Sequence, residues 1–194
     1  MATITVSSKI GIYAPSGYGK SYLANHIIEN IPKKVYVYDT DLEGTEAIYF
    51  KSDNVVIYTP DATKSEDLSE LNRFLAHMAT IGNSFIYIED LDLFFDVNSQ
   101  LGYNSSMIKY FASKGRHIRT GLIYTAKQFT HIPTKLRANT NLFYIGKFAS
   151  EIELKSIKKI LSKEAYEAYL SLNGNNHEFL EYDMLSGDFD IIVV

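Results

Sequence analysis

Residues 14 to 21, Ala-Pro-Ser-Gly-Tyr-Gly-Lys-Ser, set small residues and two glycines ahead of a lysine and a hydroxyl. Glycines let consecutive backbone N–H groups turn inward around a phosphate, and a helix starting at once adds the positive end of its dipole. Lys20 reaches the β and γ phosphates as a point charge, and Ser21 offers a hydroxyl to Mg²⁺. The pattern is G-x-x-x-x-G-K-[ST] with Ala14 as a small residue in first position. Its context is the one the motif requires. Ile10 to Tyr13 reads as a short apolar strand, and Tyr22, Leu23, His26 and Ile27 recur at helical spacing. A glycine-rich turn with a surface lysine would need neither. The residues expected against a nucleotide are Ala14, Pro15, Ser16, Gly17, Tyr18, Gly19, Lys20, Ser21 and Tyr22.

About 70 residues further on, the run Ser84-Phe-Ile-Tyr-Ile88 ends in Glu89-Asp90. Its unbroken hydrophobicity predicts a strand buried on both faces. Two carboxylates delivered at the end of such a strand supply the second half of a nucleotide site. One holds Mg²⁺, usually through water, and the other positions and deprotonates the attacking water. Many strands end in acids, so the pair gains its meaning from the phosphate loop before it.

The elements that must position these groups alternate between strand and helix. Val35–Tyr38 and Val55–Tyr58 read as strands, the first ending at Asp39-Thr-Asp41 and a turn around Gly44. Thr63-Lys-Ser-Glu66 has the spacing of a capping box and predicts a helix with Leu68, Leu71, Leu75 and Met78 on its core face, ended by Gly82. Leu91 to Phe95 reads as a short apolar turn, and residues 96–106 are polar and turn-rich, as a mobile loop would be. A helix over Met107–Ser113, a strand over Thr120–Ala126 ending in Lys127 and Gln128, a short helix behind Pro133 and a strand over Leu142–Ile145 follow. Ser150-Glu-Ile-Glu153 predicts a second capping box opening a helix to about Ile160. Ser162 caps another, which stops at Gly174, and His177–Tyr182 with Asp188–Val193 predicts a β-hairpin. The fold class expected is α/β, a mostly parallel sheet flanked by helices with its site along the strand C-termini. Residues 1–194 form one domain, with a nucleotide-binding core over 1–149 and C-terminal helices and hairpin over 150–194.

Composition narrows the classes. At 194 residues, 46% hydrophobic and 22% charged, the chain has the make-up of a soluble globular domain. It has no cysteine, which excludes disulfides, thiolate catalysis and zinc ribbons. No apolar run approaches the roughly 20 residues that span a bilayer, and MATITVSSKI lacks the core of a signal peptide, so a soluble, non-secreted protein is expected. The five histidines show no metal spacing and read as structural. Net charge is −4, yet Val97 to Ser150 holds no acid and eight cations: Lys109, Lys114, Arg116, Arg119, Lys127, Lys135, Arg137 and Lys147. The remaining 11 basic and 23 acidic residues leave −12 elsewhere. Such asymmetry points to a face built for a polyanion, or to cations that simply solvate helices.

With Lys20, Glu89-Asp90 and Gln128 in place, the chain resembles the FtsK/HerA superfamily of DNA-translocating P-loop ATPases, and within it the compact genome-packaging ATPases of internal-membrane-containing double-stranded DNA viruses. The segment GRHIRTGLIYTAKQFTHIPTKLRANTNLFYIG, Gly115 to Gly146, carries most of the likeness. It sets a basic residue, a glycine-led strand, a sensor glutamine, an Ile-Pro and an Arg-x-Asn run in order. The resemblance implies an additional-strand, RecA-like sheet closed by a helical pair and a hairpin. It implies Glu89 as the Mg²⁺-associated acid and Asp90 as the general base, although the commoner cellular order is Asp then Glu and the roles here are open to exchange. Gln128 matches the γ-phosphate sensor, or is an ordinary strand-end amide. Arg116 or Arg119 matches an arginine finger reaching the neighbouring subunit's site, or contacts DNA phosphates.

The resemblance thus implies ATP and Mg²⁺, double-stranded DNA held through its backbone phosphates, and a homo-oligomeric ring of five or six copies. It also implies a virion portal or membrane protein as a further partner, and a place in the host cytoplasm or at the packaging vertex. Alternatives are the assembly ATPase of a filamentous virus, which usually adds a membrane-spanning helix, and a nucleotide-dependent switch without translocation, against which Glu89-Asp90 and Gln128 argue. A small-molecule kinase would show an acceptor or lid motif, and none is recognisable.

Overall fold

Six parallel strands and an antiparallel hairpin share one sheet in the order β3-β2-β4-β5-β1-β6-β7-β8. The computed structural model describes residues 4–40, 52–61, 63–64, 67–95, 103–104 and 106–194. Strands β1 (Lys9–Tyr13), β2 (Val35–Tyr38), β3 (Val55–Tyr58), β4 (Phe85–Ile88), β5 (Gly121–Ala126) and β6 (Leu142–Gly146) run parallel, and β7 (Glu178–Asp183) and β8 (Phe189–Val193) complete the edge. The α/β class expected from the alternating pattern is the one observed, and one strand, β5, lies between β1 and β4.

The central strands read as unbroken apolar runs because both faces are covered. Ile10, Ile12, Val35, Val37, Tyr87 and Ile123 pack toward α1 (Lys20–Glu29), while Tyr13, Tyr38, Ile86, Ile88, Leu122 and Tyr124 pack on the opposite face. That second face carries α2 (Leu68–Ile81), α3 (Met107–Lys114), α4 (Thr134–Arg137), α5 (Glu151–Lys158) and α6 (Lys163–Ser171). Register aligns the ends that matter: Tyr13 lies beside Ala126 and Ile145, and Ile88 beside Tyr124. The phosphate-loop segment, Glu89-Asp90 and Lys127-Gln128 therefore all leave the sheet at its C-terminal edge. No helix among the described residues is long and apolar enough to cross a membrane.

Two expected capping boxes do not form. Helix α2 starts at Leu68 behind Asp67, whose carboxylate accepts from the Ser69 N–H at 2.7 Å, while the Thr63 hydroxyl is bonded to Asp61. Ser65 and Glu66 lie outside the described residues, as do Asp41, the turn at Gly44 and all of 96–106 except Tyr103, Asn104 and Ser106. At α5 the Ser150 side chain caps nothing. Its expected partner Glu153 is buried and turns away to accept from Thr130 N (3.1 Å) and Thr130 Oγ1 (2.8 Å). A buried carboxylate satisfied by the loop after β5 outweighs a local cap. Gly82 and Ser162 behave as expected, the latter accepting from Ala165 N, but Gly174 opens a 3-10 turn through Asn176 after α6 has already ended.

This rearrangement gives a discriminating test. Glu153→Ala removes the partner of the half-buried Thr130 N–H and hydroxyl and should cost about 1–3 kcal/mol in urea unfolding. Ser150→Ala should stay within about 0.5 kcal/mol. The reverse ranking would restore the capping box.

Candidate nucleotide site

The loop from Ala14 to Ser21 is built by three local devices. The Ala14 N–H donates to Ala126 O at 3.2 Å, tying the loop's first residue to the end of β5. Gly17 and Gly19 take φ values of 73° and 89°, a left-handed backbone that side chains with a Cβ resist. Tyr18, between them, is drawn outward: its hydroxyl donates to Glu178 O at 2.9 Å and its ring sits edge-on to Phe179 at 5.2 Å. Gly146 permits this approach, since a Cβ there would lie 2.6 Å from the Tyr18 ring and 2.7 Å from Ala14. The C-terminal hairpin thus braces the middle of the loop, a contact no local motif announces.

Lys20 opens α1 and is only 7% exposed. Its ammonium donates to Pro15 O at 3.1 Å. Burial lowers its pKa, opposed chiefly by Asp90 and also by Asp92 and Glu89, while Lys127 adds to the lowering. Next in sequence, the Ser21 hydroxyl donates to Glu89 Oε1 at 2.9 Å. Hydroxyl and carboxylate oxygens are the hard donors Mg²⁺ takes, and this ion ordinarily keeps waters and phosphate oxygens for its other positions. The pair fits that use. Among the described residues no three carboxylates or imidazoles converge as a separate metal centre.

Asp90 follows Glu89 with φ 42° and donates its N–H to Thr125 Oγ1 at 2.8 Å, which fixes the turn to β5. Its carboxylate pairs with Lys127 at 2.7 Å. This contact raises the Lys127 pKa, the side-chain hydrogen bond being the larger cause. Gln128 lies at the same edge with its side chain exposed. Both backbone N–H groups, of Lys127 and Gln128, donate to Asp92 Oδ2 at 3.0 Å. Asp92 was not singled out by spacing, because it sits inside an apolar stretch that forms the 3-10 turn Leu91–Phe94. The signal available was a third acid two positions after Glu89-Asp90. Burial raises its carboxyl pKa, and the two N–H donors hold it down.

The structure gathers Lys20, Ser21, Glu89, Asp90 and the Lys127-Gln128 segment. It does not bring Arg116 or Arg119 to them. Both are exposed on the turn Gly115–Ile118 and its cap, at the N-terminal end of β5. Six strand residues at about 3.3 Å each put roughly 20 Å between that turn and the loop. Arg116 lies instead near Lys9 at the start of β1, where burial first and this neighbour second lower the lysine's pKa. Arg137 stacks over the Phe129 ring at 4.7 Å and lines a separate cleft of about 360 Å³ with Thr134, Ser156 and Lys159. Tyr22, exposed on α1, borders a cleft of about 210 Å³ with His26 and Val194.

If Asp92 ties the two segments together, Asp92→Ala should lower stability by about 1.5–3 kcal/mol. Hydrogen exchange should accelerate at Lys127 and Gln128 and not in β4. Unchanged protection at those two amides would remove Asp92 from this role.

No family model matches the chain, and no curated protein matches it. Solved structures do. The DNA-packaging ATPase B204 of Sulfolobus turreted icosahedral virus is 20% identical, with 97% of this chain and 98% of that one aligned and a TM-score of 0.77. The genome packaging NTPase B204 of Sulfolobus turreted icosahedral virus 2, in complex with ATP-gammaS, gives 19%, 97%, 98% and 0.78. The pCW3 conjugation coupling protein TcpA, also with ATPgS, gives 16% identity over 96% of this chain and 60% of that one, at 0.60. The chain therefore has the α/β P-loop fold of these NTPases, as the resemblance carried by Gly115 to Gly146 implied.

Proposed function

We propose that this chain belongs to the FtsK/HerA superfamily and is an ATP-hydrolysing double-stranded DNA translocase, a subunit of a viral genome-packaging motor. The observation that carries the reading is the convergence of Lys20, Ser21, Glu89 and Asp90 at one sheet edge. The end-to-end likeness to packaging NTPases supports it. In this reading Lys20 and the loop amides hold the phosphates, and Ser21 and Glu89 hold Mg²⁺, which supplies charge neutralisation when bound. Asp90 accepts a proton from water as the water oxygen bonds to the γ-phosphorus and the bridging oxygen leaves with ADP. Gln128, at the same edge, senses the γ-phosphate.

Arg116 and Arg119 stand about 20 Å from their own loop, so either serves nucleotide only in a neighbouring copy. A head-to-tail ring of five or six subunits around the duplex would bring them to it. Of the cations in the 107–137 region, the exposed Lys109, Lys114 and Lys135 are left to contact DNA phosphates, contacts that are independent of sequence and weakened by salt.

The test is ATPase activity titrated with double-stranded DNA and followed beside oligomer size. Stimulation confined to the assembled ring is expected, with Lys20→Ala and Asp90→Asn both inactive. Hydrolysis indifferent to DNA in an active monomer would instead favour a switch or a kinase. A trans arginine contributes about 10³–10⁵ in rate. Mixing an arginine-deficient, loop-intact subunit with Lys20→Ala should therefore restore turnover that neither has alone, and Arg116→Ala and Arg119→Ala compared in this assay identify the finger. No rescue by either mixture would place both arginines elsewhere.

A further inference from the structure

Lys127 has a contact that the reading above leaves unused. Its ammonium occupies Asp90 Oδ2 at 2.7 Å, one of the two oxygens of the group assigned to receive the proton of water. The two partners are not held alike. Asp90 is fixed by its left-handed backbone and its bond to Thr125, and its side chain is 15% exposed. Lys127 has its backbone pinned by Asp92, but its side chain is 43% exposed on a flexible four-carbon stem. The lysine is the member free to move. It also lies close enough to Lys20 for the two ammonium groups to act on each other. Asp90 thus meets Lys127 in a direct ion pair and acts on Lys20 as well, the lysine that would hold a γ-phosphate. A γ-phosphoryl group carries more negative charge than a single carboxylate and competes for the same ammonium.

We propose that Lys127 is a cis contact to the γ-phosphate, one that covers Asp90 before nucleotide binds and is drawn onto the triphosphate when ATP occupies the loop, uncovering the base. The inference rests on the NTPase reading of this site and adds its regulation. ATP and ADP then differ in what they do to the acid. Only the triphosphate offers Lys127 a new partner, so hydrolysis returns the lysine to Asp90 and the site to its covered state. Lys127 would touch substrate, which distinguishes it from Asp92, a positioning residue that acts through the backbone.

The experiment is calorimetric binding of ATP-gammaS and of ADP, with Mg²⁺, to the wild-type chain and to Lys127→Ala, Lys127→Met and Lys127→Arg. One charge-assisted hydrogen bond corresponds to about tenfold to a hundredfold in affinity. Lys127→Ala and Lys127→Met should weaken ATP-gammaS by at least about tenfold, leave ADP within about twofold, and lower kcat. Lys127→Arg, which keeps the charge, should retain the preference for triphosphate. Equal loss for both nucleotides, or loss for neither, would make Lys127 a static clamp on Asp90 and overturn the proposal. Lys127→Met keeps the stem, so a folding defect in the alanine variant does not decide the matter. A wild-type chain that binds neither nucleotide overturns the NTPase reading and this inference with it. A wild-type chain that binds both but loses both in Lys20→Ala keeps the reading and leaves the triphosphate-to-diphosphate ratio to judge Lys127.

Discussion

A lysine with 7% of its surface exposed needs negative charge near its ammonium, and Lys20 shapes its surroundings through that requirement. Among the described residues it makes no direct ion pair; its hydrogen bond is to Pro15 O. Compensation comes as a field from Asp90, Asp92 and Glu89, all from the segment that leaves β4. This explains the value of the strand order. With β5 between β1 and β4, the loop and the acids face one another across the width of one strand, close enough to act on each other. The acids in turn repel, and the structure relieves them with a second cation, Lys127, and with the two N–H groups that Asp92 receives. Two lysines and three carboxylates make a site whose charges nearly balance before any phosphate enters.

The loop itself is held by the C-terminal hairpin. Tyr18 is the one large residue between the two glycines, and its ring and hydroxyl pack onto β7. A side chain of that size in a phosphate loop would crowd the anion unless something else claimed it. Phe179, the carbonyl of Glu178 and the bare backbone of Gly146 do so. The antiparallel hairpin is therefore a brace for the loop as well as an edge for the sheet, and the residue before it, His177, also sets its ring 5.8 Å from that of Tyr18.

What the sequence disclosed follows from how local each feature is. The phosphate loop and the strands were legible because their signals, small residues in a row and apolar runs bounded by polar ones, are contiguous. The paired acids were legible because the loop gave them meaning. The capping boxes misled for the same reason: Ser150 and Glu153 have the right spacing, but the buried Glu153 has a tertiary partner in Thr130, 23 residues away, which satisfies it better than an exposed cap would. Asp92 was hidden among Leu91, Leu93 and Phe94, where a lone acid reads as the polar side of a turn. Lys127 was visible as a strand-end cation, one of eight in its stretch, and nothing in its neighbourhood along the chain says that Asp90 lies opposite. Tyr18 could not be understood without β7.

The sheet also separates its charges in a way that bears on assembly. Its C-terminal edge carries the balanced cluster around Lys20. Its N-terminal edge carries Arg116 close to Lys9, two like charges whose proximity lowers the lysine's pKa further after burial has done so. No described acid pairs with either arginine of that turn. Holding cations together without a counter-charge costs free energy, a cost that an anion supplied from elsewhere removes. In the head-to-tail array proposed above, one copy's N-terminal edge would meet the next copy's phosphates, and a ring results only where the repeated rotation closes. In the proposed motor, then, the parallel sheet does more than seat a nucleotide. It sets the two charged edges about one strand length apart, and that distance keeps an arginine at one edge away from its own site.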